Sequence, residues 1–177
     1  MDLSGSWKML AAIAQERLKH NKTSHHVSEY GTDIELIGAA GELAARRFLN
    51  LEETLHIRFD NGVDMRVGGY TIDVKATMLT RNVRYRYLQW PYWKPVRSSI
   101  ILLTAVSIPN QKAIVIGYAF KHEIERAPIN LLRDFPCHEI PVARLHPASE
   151  LLTLQHAFLP KAPARRRAKH HSPGPAA

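Results

Sequence analysis

Val63-Asp64-Met65-Arg66-Val67-Gly68-Gly69-Tyr70-Thr71-Ile72-Asp73-Val74-Lys75 is the stretch around which the rest of the chain must fold. Its two halves alternate strictly about the Gly68-Gly69 pair, the pattern of two antiparallel strands joined by a two-residue turn. Such a turn sets Val67 opposite Tyr70, Arg66 opposite Thr71, Met65 opposite Ile72 and Asp64 opposite Asp73. One face then carries Val63, Met65, Val67, Tyr70, Ile72 and Val74, a set fit for a core. The other carries Asp64, Arg66, Thr71, Asp73 and Lys75. A one-residue slip would bury those charges, so the apolar alternation holds the register. Directly opposed residues place their Cβ atoms about 4.5–5.5 Å apart, where like charges destabilise the pairing. Two facing carboxylates call for a compensating charge, and a divalent cation supplies one.

Upstream, residues 32–49 predict a helix, with Thr32 as N-cap and Glu35 three residues on in a capping-box pattern. It is apolar around much of its circumference and is expected to be largely buried. Gly38 and Gly41 lower its helix propensity and imply close packing on that side. Glu42 follows within Gly41-Glu42-Leu43-Ala44-Ala45, where a carboxylate is desolvated unless something pairs with it. An i,i+4 bridge to Arg46 is one solution; convergence on Asp64 and Asp73 is the other. Residues 5–20 predict a first helix, set off by a polar loop as an N-terminal appendage.

Downstream, residues 99–106 are a continuous β-branched apolar run, suited to a central strand covered on both faces. Residues 112–118 predict a strand paired with it, and residues 120–126 a short helix. Residues 138–142, bracketed by Pro136 and Pro141, predict an edge strand, and residues 147–158 a last helix. The elements predict an α/β domain with a central mixed β-sheet flanked by helices. The expected division is a helix and linker over 1–24, the sheet domain over 25–160 and a disordered basic tail over 161–177.

With 177 residues, 45% hydrophobic and 23% charged, the chain suits one soluble globular domain with a proper core. Its net charge of +8 and pI near 9.8 point to a polyanionic partner. Lys161, Arg165, Arg166, Arg167 and Lys169 supply +5 of that charge from a tail with no acids. The single cysteine, Cys137, excludes an internal disulfide and suits a reducing compartment. No stretch approaches a membrane span, and residues 9–14 are too short an apolar run for a secretory signal. The expectation is a cytoplasmic protein with no membrane partner.

Glu42, Asp64 and Asp73 offer hard oxygen ligands for Mg²⁺ or Mn²⁺, which keep several waters and accept phosphate oxygens. Such an ion activates water and stabilises charge developing on a phosphodiester. Lys75 can orient or deprotonate that water, or neutralise the developing charge. Any one of these residues alone suits a solvated surface; four of them on matching faces point to a site. A second constellation fills residues 76–99, which hold Arg81, Arg84, Arg86, Lys94 and Arg97 without a single acid. Interleaved with them are Tyr85, Tyr87, Trp90, Tyr92 and Trp93. Cations contact phosphates and aromatic rings stack on unpaired bases, so these ten residues are candidate nucleic-acid contacts. The alternative is that the rings pack a core or a dimer interface. The ten histidines form no zinc-binding spacing, and Cys137 lacks the partners of a catalytic thiol.

In order and spacing, these residues resemble the PD-(D/E)XK, or restriction-endonuclease-like, nuclease superfamily. The matching elements are Gly41-Glu42 on the helix, Val63-Asp64 on the first strand and Ile72-Asp73-Val74-Lys75 on the second, within residues 32–118. The resemblance implies a restriction-endonuclease-like sheet and a Mg²⁺-dependent nuclease hydrolysing phosphodiester bonds in DNA, with RNA as a further substrate class. It implies Asp64 and Asp73 as metal ligands, Glu42 as another, direct or through water, and Lys75 as the catalytic lysine. It further implies that the Val74 carbonyl completes the metal shell and that the protein acts as a homodimer. Val63 stands where the family name has proline. The alternative is a noncatalytic nucleic-acid-binding or assembly protein that keeps the fold.

Overall fold

The structure is a computed structural model that describes residues 1–23, 32–57, 62–79, 87–132 and 135–157, without the side chains of residues 21–23, 32 and 155–157. Two helices, α1 (Trp7–Thr23) and α2 (Thr32–Phe48), precede the hairpin of β1 (Met65–Val67) and β2 (Tyr70–Met78). Then follow β3 (Tyr87–Pro91), β4 (Ile100–Ser107), β5 (Lys112–Phe120), α3 (Lys121–Arg126), β6 (Ile129–Asn130), β7 (Cys137–Pro141) and α4 (Glu150–Ala157).

The hairpin has the register counted from its glycines: Met65 opposite Ile72, Arg66 opposite Thr71 and Val67 opposite Tyr70. Gly68 takes φ +56°, the left-handed conformation that a tight hairpin turn demands and glycine adopts without strain. β2 pairs in parallel with β4 along its length, and β4 pairs antiparallel with β5. The result is a mixed four-stranded sheet in the order β1-β2-β4-β5. All eight residues of β4 are buried, as its unbroken apolar run requires.

Parallel neighbours cannot be joined by a tight turn; they need a crossover of a dozen or more residues. Residues 79–99 are that crossover, and they carry β3 over one face of the sheet. There β3 joins β7 and β6 in a second, antiparallel sheet of order β3-β7-β6. Leu88, Trp90 and Val96 pack with Ile140 against Ile101, Leu103 and Ala119 of the main sheet. β7 is therefore the middle strand of the small sheet and not an edge. Its prolines stand just before it and at its last residue, so its interior keeps the N–H groups that two neighbours require.

The opposite face of the main sheet carries α1 and α2. Leu36, Ala40, Leu43 and Ala44 of α2 are buried in one cluster with Leu3, Leu10 and Ala14. The first helix thus packs into the same core as α2 and does not stand apart as an appendage. The Leu3 N–H donates to the Gln111 carbonyl at 2.9 Å, which ties the N-terminus to the β4–β5 turn. Gly41 is where α2 comes closest to the sheet. A Cβ there would fall well inside contact distance of Thr104 Oγ1 and Ala76 Cβ, so only glycine allows the approach. Gly38 has no such crowding, its nearest neighbour being Arg17 Nη1 at 3.9 Å from an added Cβ. No helix among the described residues is long and apolar enough to cross a membrane.

An aromatic corner closes the far end of β5. The Tyr118 ring stacks on His146 with centroids 5.0 Å apart, and its Oη donates to Glu150 Oε2 at 3.2 Å. Burial, reinforced by that hydrogen bond to a carboxylate, pushes the Tyr118 phenol from 10.0 up to about 12. Folding therefore favours the neutral phenol. Its contribution is fully present below pH 10 and is lost as pH rises from there to about 12. Two pKa units correspond to about 2–3 kcal/mol. Denaturant melts at stepped alkaline pH should show the stability difference between wild type and Tyr118→Phe shifting against wild type by that amount; parallel curves would refute it.

Candidate active site

β1 begins only at Met65, opposite Ile72, so β2 runs on from Asp73 to Met78 with no β1 residue opposite. The lead-in to β1 partly fills this gap. The Asp64 N–H donates to the Ile72 carbonyl at 2.9 Å, and the Asp64 Oδ2 accepts the Val74 N–H at 2.5 Å. In an extended strand a residue's N–H and C=O point to the same edge, so the Val74 carbonyl faces the same side. Arg46, buried on α2, donates from Nη2 to the Asp64 carbonyl at 2.7 Å and from Nη1 to the Glu52 carbonyl at 3.2 Å. The Asp64 backbone is thus fixed from the helix side while its carboxylate caps β2.

Asp73 and Lys75 lie on the face of β2 that the small sheet covers. Asp73 is only 2% exposed, and its Oδ1 accepts a hydrogen bond from Lys75 Nζ. A carboxylate so buried stays ionised only beside a cation. Lys75 Nζ also lies over the Trp90 ring, 4.9 Å from its centroid, and Lys94 Nζ lies 5.4 Å from the same ring. The indole Nε1–H donates to the Lys94 carbonyl at 2.6 Å, so the ring is fixed against the turn that follows β3. Partial burial, followed by the charge of Lys75, pushes the Lys94 ammonium below the ordinary lysine range, while Asp73 and Asp64 pull the other way. Two lysines and two aspartates thus share one electrostatic neighbourhood.

Glu42 does not bridge to Arg46. It is held by Arg17 of α1, whose Nη1 and Nη2 donate to Oε1 and Oε2, each at 2.7 Å. Arg17 also binds the His56 carbonyl through Nε at 2.9 Å and Nη2 at 2.6 Å. Burial alone would lower the pKa of this guanidinium, but Glu42, and beyond it Asp64 and Glu35, raise it above the ordinary arginine value. Arg17 is therefore within electrostatic reach of both Glu42 and Asp64. Sequence reasoning missed it. Its signal was position, since it follows Leu10 by seven residues and Ala14 by three, on the apolar stripe of α1.

The three carboxylates are thus engaged separately: Glu42 by Arg17, Asp64 by the Val74 amide and Asp73 by Lys75. Among the described residues no three His, Cys, Asp or Glu side chains gather into a ready-made metal cage. Asp64, Asp73 and the Val74 carbonyl are the groups that could supply a hard-oxygen donor set. It suits Mg²⁺ or Mn²⁺, which take one or two carboxylates and complete their shells with water and substrate phosphate. Glu42 would have to exchange Arg17 to join that set.

The candidate nucleic-acid contacts divide by position. Tyr92 and Trp93 are 52% and 58% exposed, and Tyr87, Lys94 and Arg97 are also exposed. Trp90 is 2% exposed, so its ring belongs to the core and supports the lysines; it is not an open stacking platform. Arg81, Arg84, Tyr85 and Arg86 lie outside the described residues. Comparisons with models of known protein families, with curated proteins and with solved structures found no match to this chain.

The Arg17–Glu42 fork is charge-assisted, bidentate and only 14% exposed on each side. A double-mutant cycle of Arg17→Ala with Glu42→Gln, read by urea unfolding, should give a coupling of about 1.5–3 kcal/mol. An additive result would show that the fork contributes nothing.

Proposed function

We propose that this chain is a Mg²⁺- or Mn²⁺-dependent nuclease of the restriction-endonuclease-like class that hydrolyses phosphodiester bonds in DNA. The observation that carries this reading is the buried Asp73–Lys75 pair on β2, one residue either side of an amide capped by Asp64. Water adds to phosphorus, one ester P–O bond breaks, and the products are a phosphate monoester and a free hydroxyl. A divalent ion held by Asp64, Asp73 and the Val74 carbonyl would polarise the phosphate and acidify a bound water. Lys75 Nζ, positioned by Asp73 and the Trp90 face, orients the attacking water or donates to the phosphate oxygen on which charge builds. Lys94, over the same ring, provides a second cation for the phosphate. The net charge of +8 favours a polyanionic partner.

Purified protein with Mn²⁺ is expected to cut DNA when offered circular and linear, single- and double-stranded forms. Asp73→Asn and Lys75→Ala should each lower the rate by at least about a hundredfold, the scale of a lost catalytic group, while circular dichroism and DNA binding persist. Full activity in either variant would sink the assignment. The Arg17 fork on Glu42 favours a second reading, a noncatalytic nucleic-acid-binding protein. Its signature is salt-sensitive, metal-independent binding with no cleavage by wild type.

A further inference from the structure

Beside the lysine pair, residues 90–96 form a recess of about 240 Å³ whose lining includes Trp90, Tyr92, Trp93, Lys94, Glu125 and His138. Pro95 and Val96 complete the lining, and three aromatic rings supply the rest of its apolar part. Trp93 is 58% exposed although two neighbours brace it at steep angles, Tyr92 at 5.4 Å and Phe135 at 6.1 Å. An indole held in place and still mostly bare is a stacking surface that costs little entropy to use. The polar groups on the lining are specific as well. The Ala127 carbonyl can only accept, so its 2.8 Å contact with His138 Nδ1 makes Nδ1 the donor and leaves Nε2 of the neutral ring an acceptor. Glu125 is a second acceptor. Both suit the ring N–H and exocyclic amine donors of a nucleobase. Lys94 belongs both to this recess and to the cation pair over Trp90, so the recess adjoins the centre that holds Lys75.

We propose that this recess binds one unpaired nucleobase, so that the substrate is a nucleic acid with a single-stranded segment leading into the centre around Asp73 and Lys75. The inference rests on the nuclease reading for what happens at that centre, but not for the binding itself. The volume, below that of the usual drug-sized pocket, suits a single base. A paired base lies inside the duplex stack and reaches such a recess only by being unpaired and extruded. A single strand, a tail or a branch offers its bases without that step.

The test uses the full chain in EDTA, so that binding is read without cleavage. Fluorescence anisotropy would compare a labelled single strand, a blunt duplex and the same duplex carrying a single-stranded tail. Trp93→Ala should weaken binding of the single strand and of the tailed duplex about tenfold, the factor given by about 1.4 kcal/mol of lost stacking. Binding of the blunt duplex should stay unchanged, and Trp93→Phe should retain most of the affinity. Equal losses on all three ligands, no loss, or conversion of a dimer to monomer without a selective loss would overturn the proposal. Parallel cleavage assays with Mn²⁺ on wild type and Asp73→Asn keep the two readings apart. Wild-type cleavage with no selective Trp93 effect leaves the nuclease and removes the base site. A selective effect without cleavage leaves the base site and removes the hydrolysis.

Discussion

A strand that outruns its neighbour leaves backbone N–H and C=O groups without a ladder, and β2 outruns β1 from Asp73 to Met78. Unsatisfied amides are expensive where water is excluded, so side chains must take over where β1 stops. Asp64 does this at Val74, and in doing so its carboxylate comes to the segment that bears Asp73 and Lys75. A longer β1 would have paired that edge with backbone and sent the chain's acids elsewhere. The short strand is therefore what gathers the site. Arg46 completes the arrangement by holding the Asp64 carbonyl from α2.

Burial decides how the charges within this group can be separated. The side chain of Lys75 is one-third exposed and that of Asp73 only 3%. Removing the lysine strands a buried carboxylate, a larger loss than that of an exposed ion pair. Neutralising the aspartate leaves an ammonium that water can still reach, which is closer to the small cost of an exposed ion pair. Asp73→Asn thus probes chemistry with less disturbance of the fold than Lys75→Ala, even though both groups belong to one contact.

The hairpin was legible because its pattern is local: two alternating runs and a Gly-Gly turn leave one register that keeps Asp64, Arg66, Asp73 and Lys75 out of the apolar face. β4 was legible for a similar reason, since an unbroken apolar run admits only a covered strand. What escaped were partners set by tertiary packing. Glu42 has Arg46 at i,i+4, yet Arg17, twenty-five residues away, wins because α1 lies against α2 and two parallel N–H donors match one carboxylate. The place of β7 escaped because prolines at the ends of a strand look the same for an edge as for a middle strand. Trp90 could have been told from its neighbours by period-two alternation, with Leu88 and Trp90 inward and Tyr87 outward. Composition alone, an acid-free run rich in rings, counts them all alike.

That acid-free run sits where the topology forces any β2-to-β4 connection to pass. Parallel pairing obliges the connection to return from the end of β2 to the start of β4, and its described part, residues 87–99, lays Trp90 and Lys94 beside Lys75. What they deliver is a second ammonium on the ring that already faces the first. Like charges around one indole repel, with about 1 kcal/mol at 4 Å even in full water and more where water is partly excluded. The indole face and the two aspartates offset that repulsion in the free protein. A phosphate beside these ammonium groups would offset it further. The crossover thus brings Lys94 to the ring that Lys75 already faces, next to the group proposed to do the chemistry.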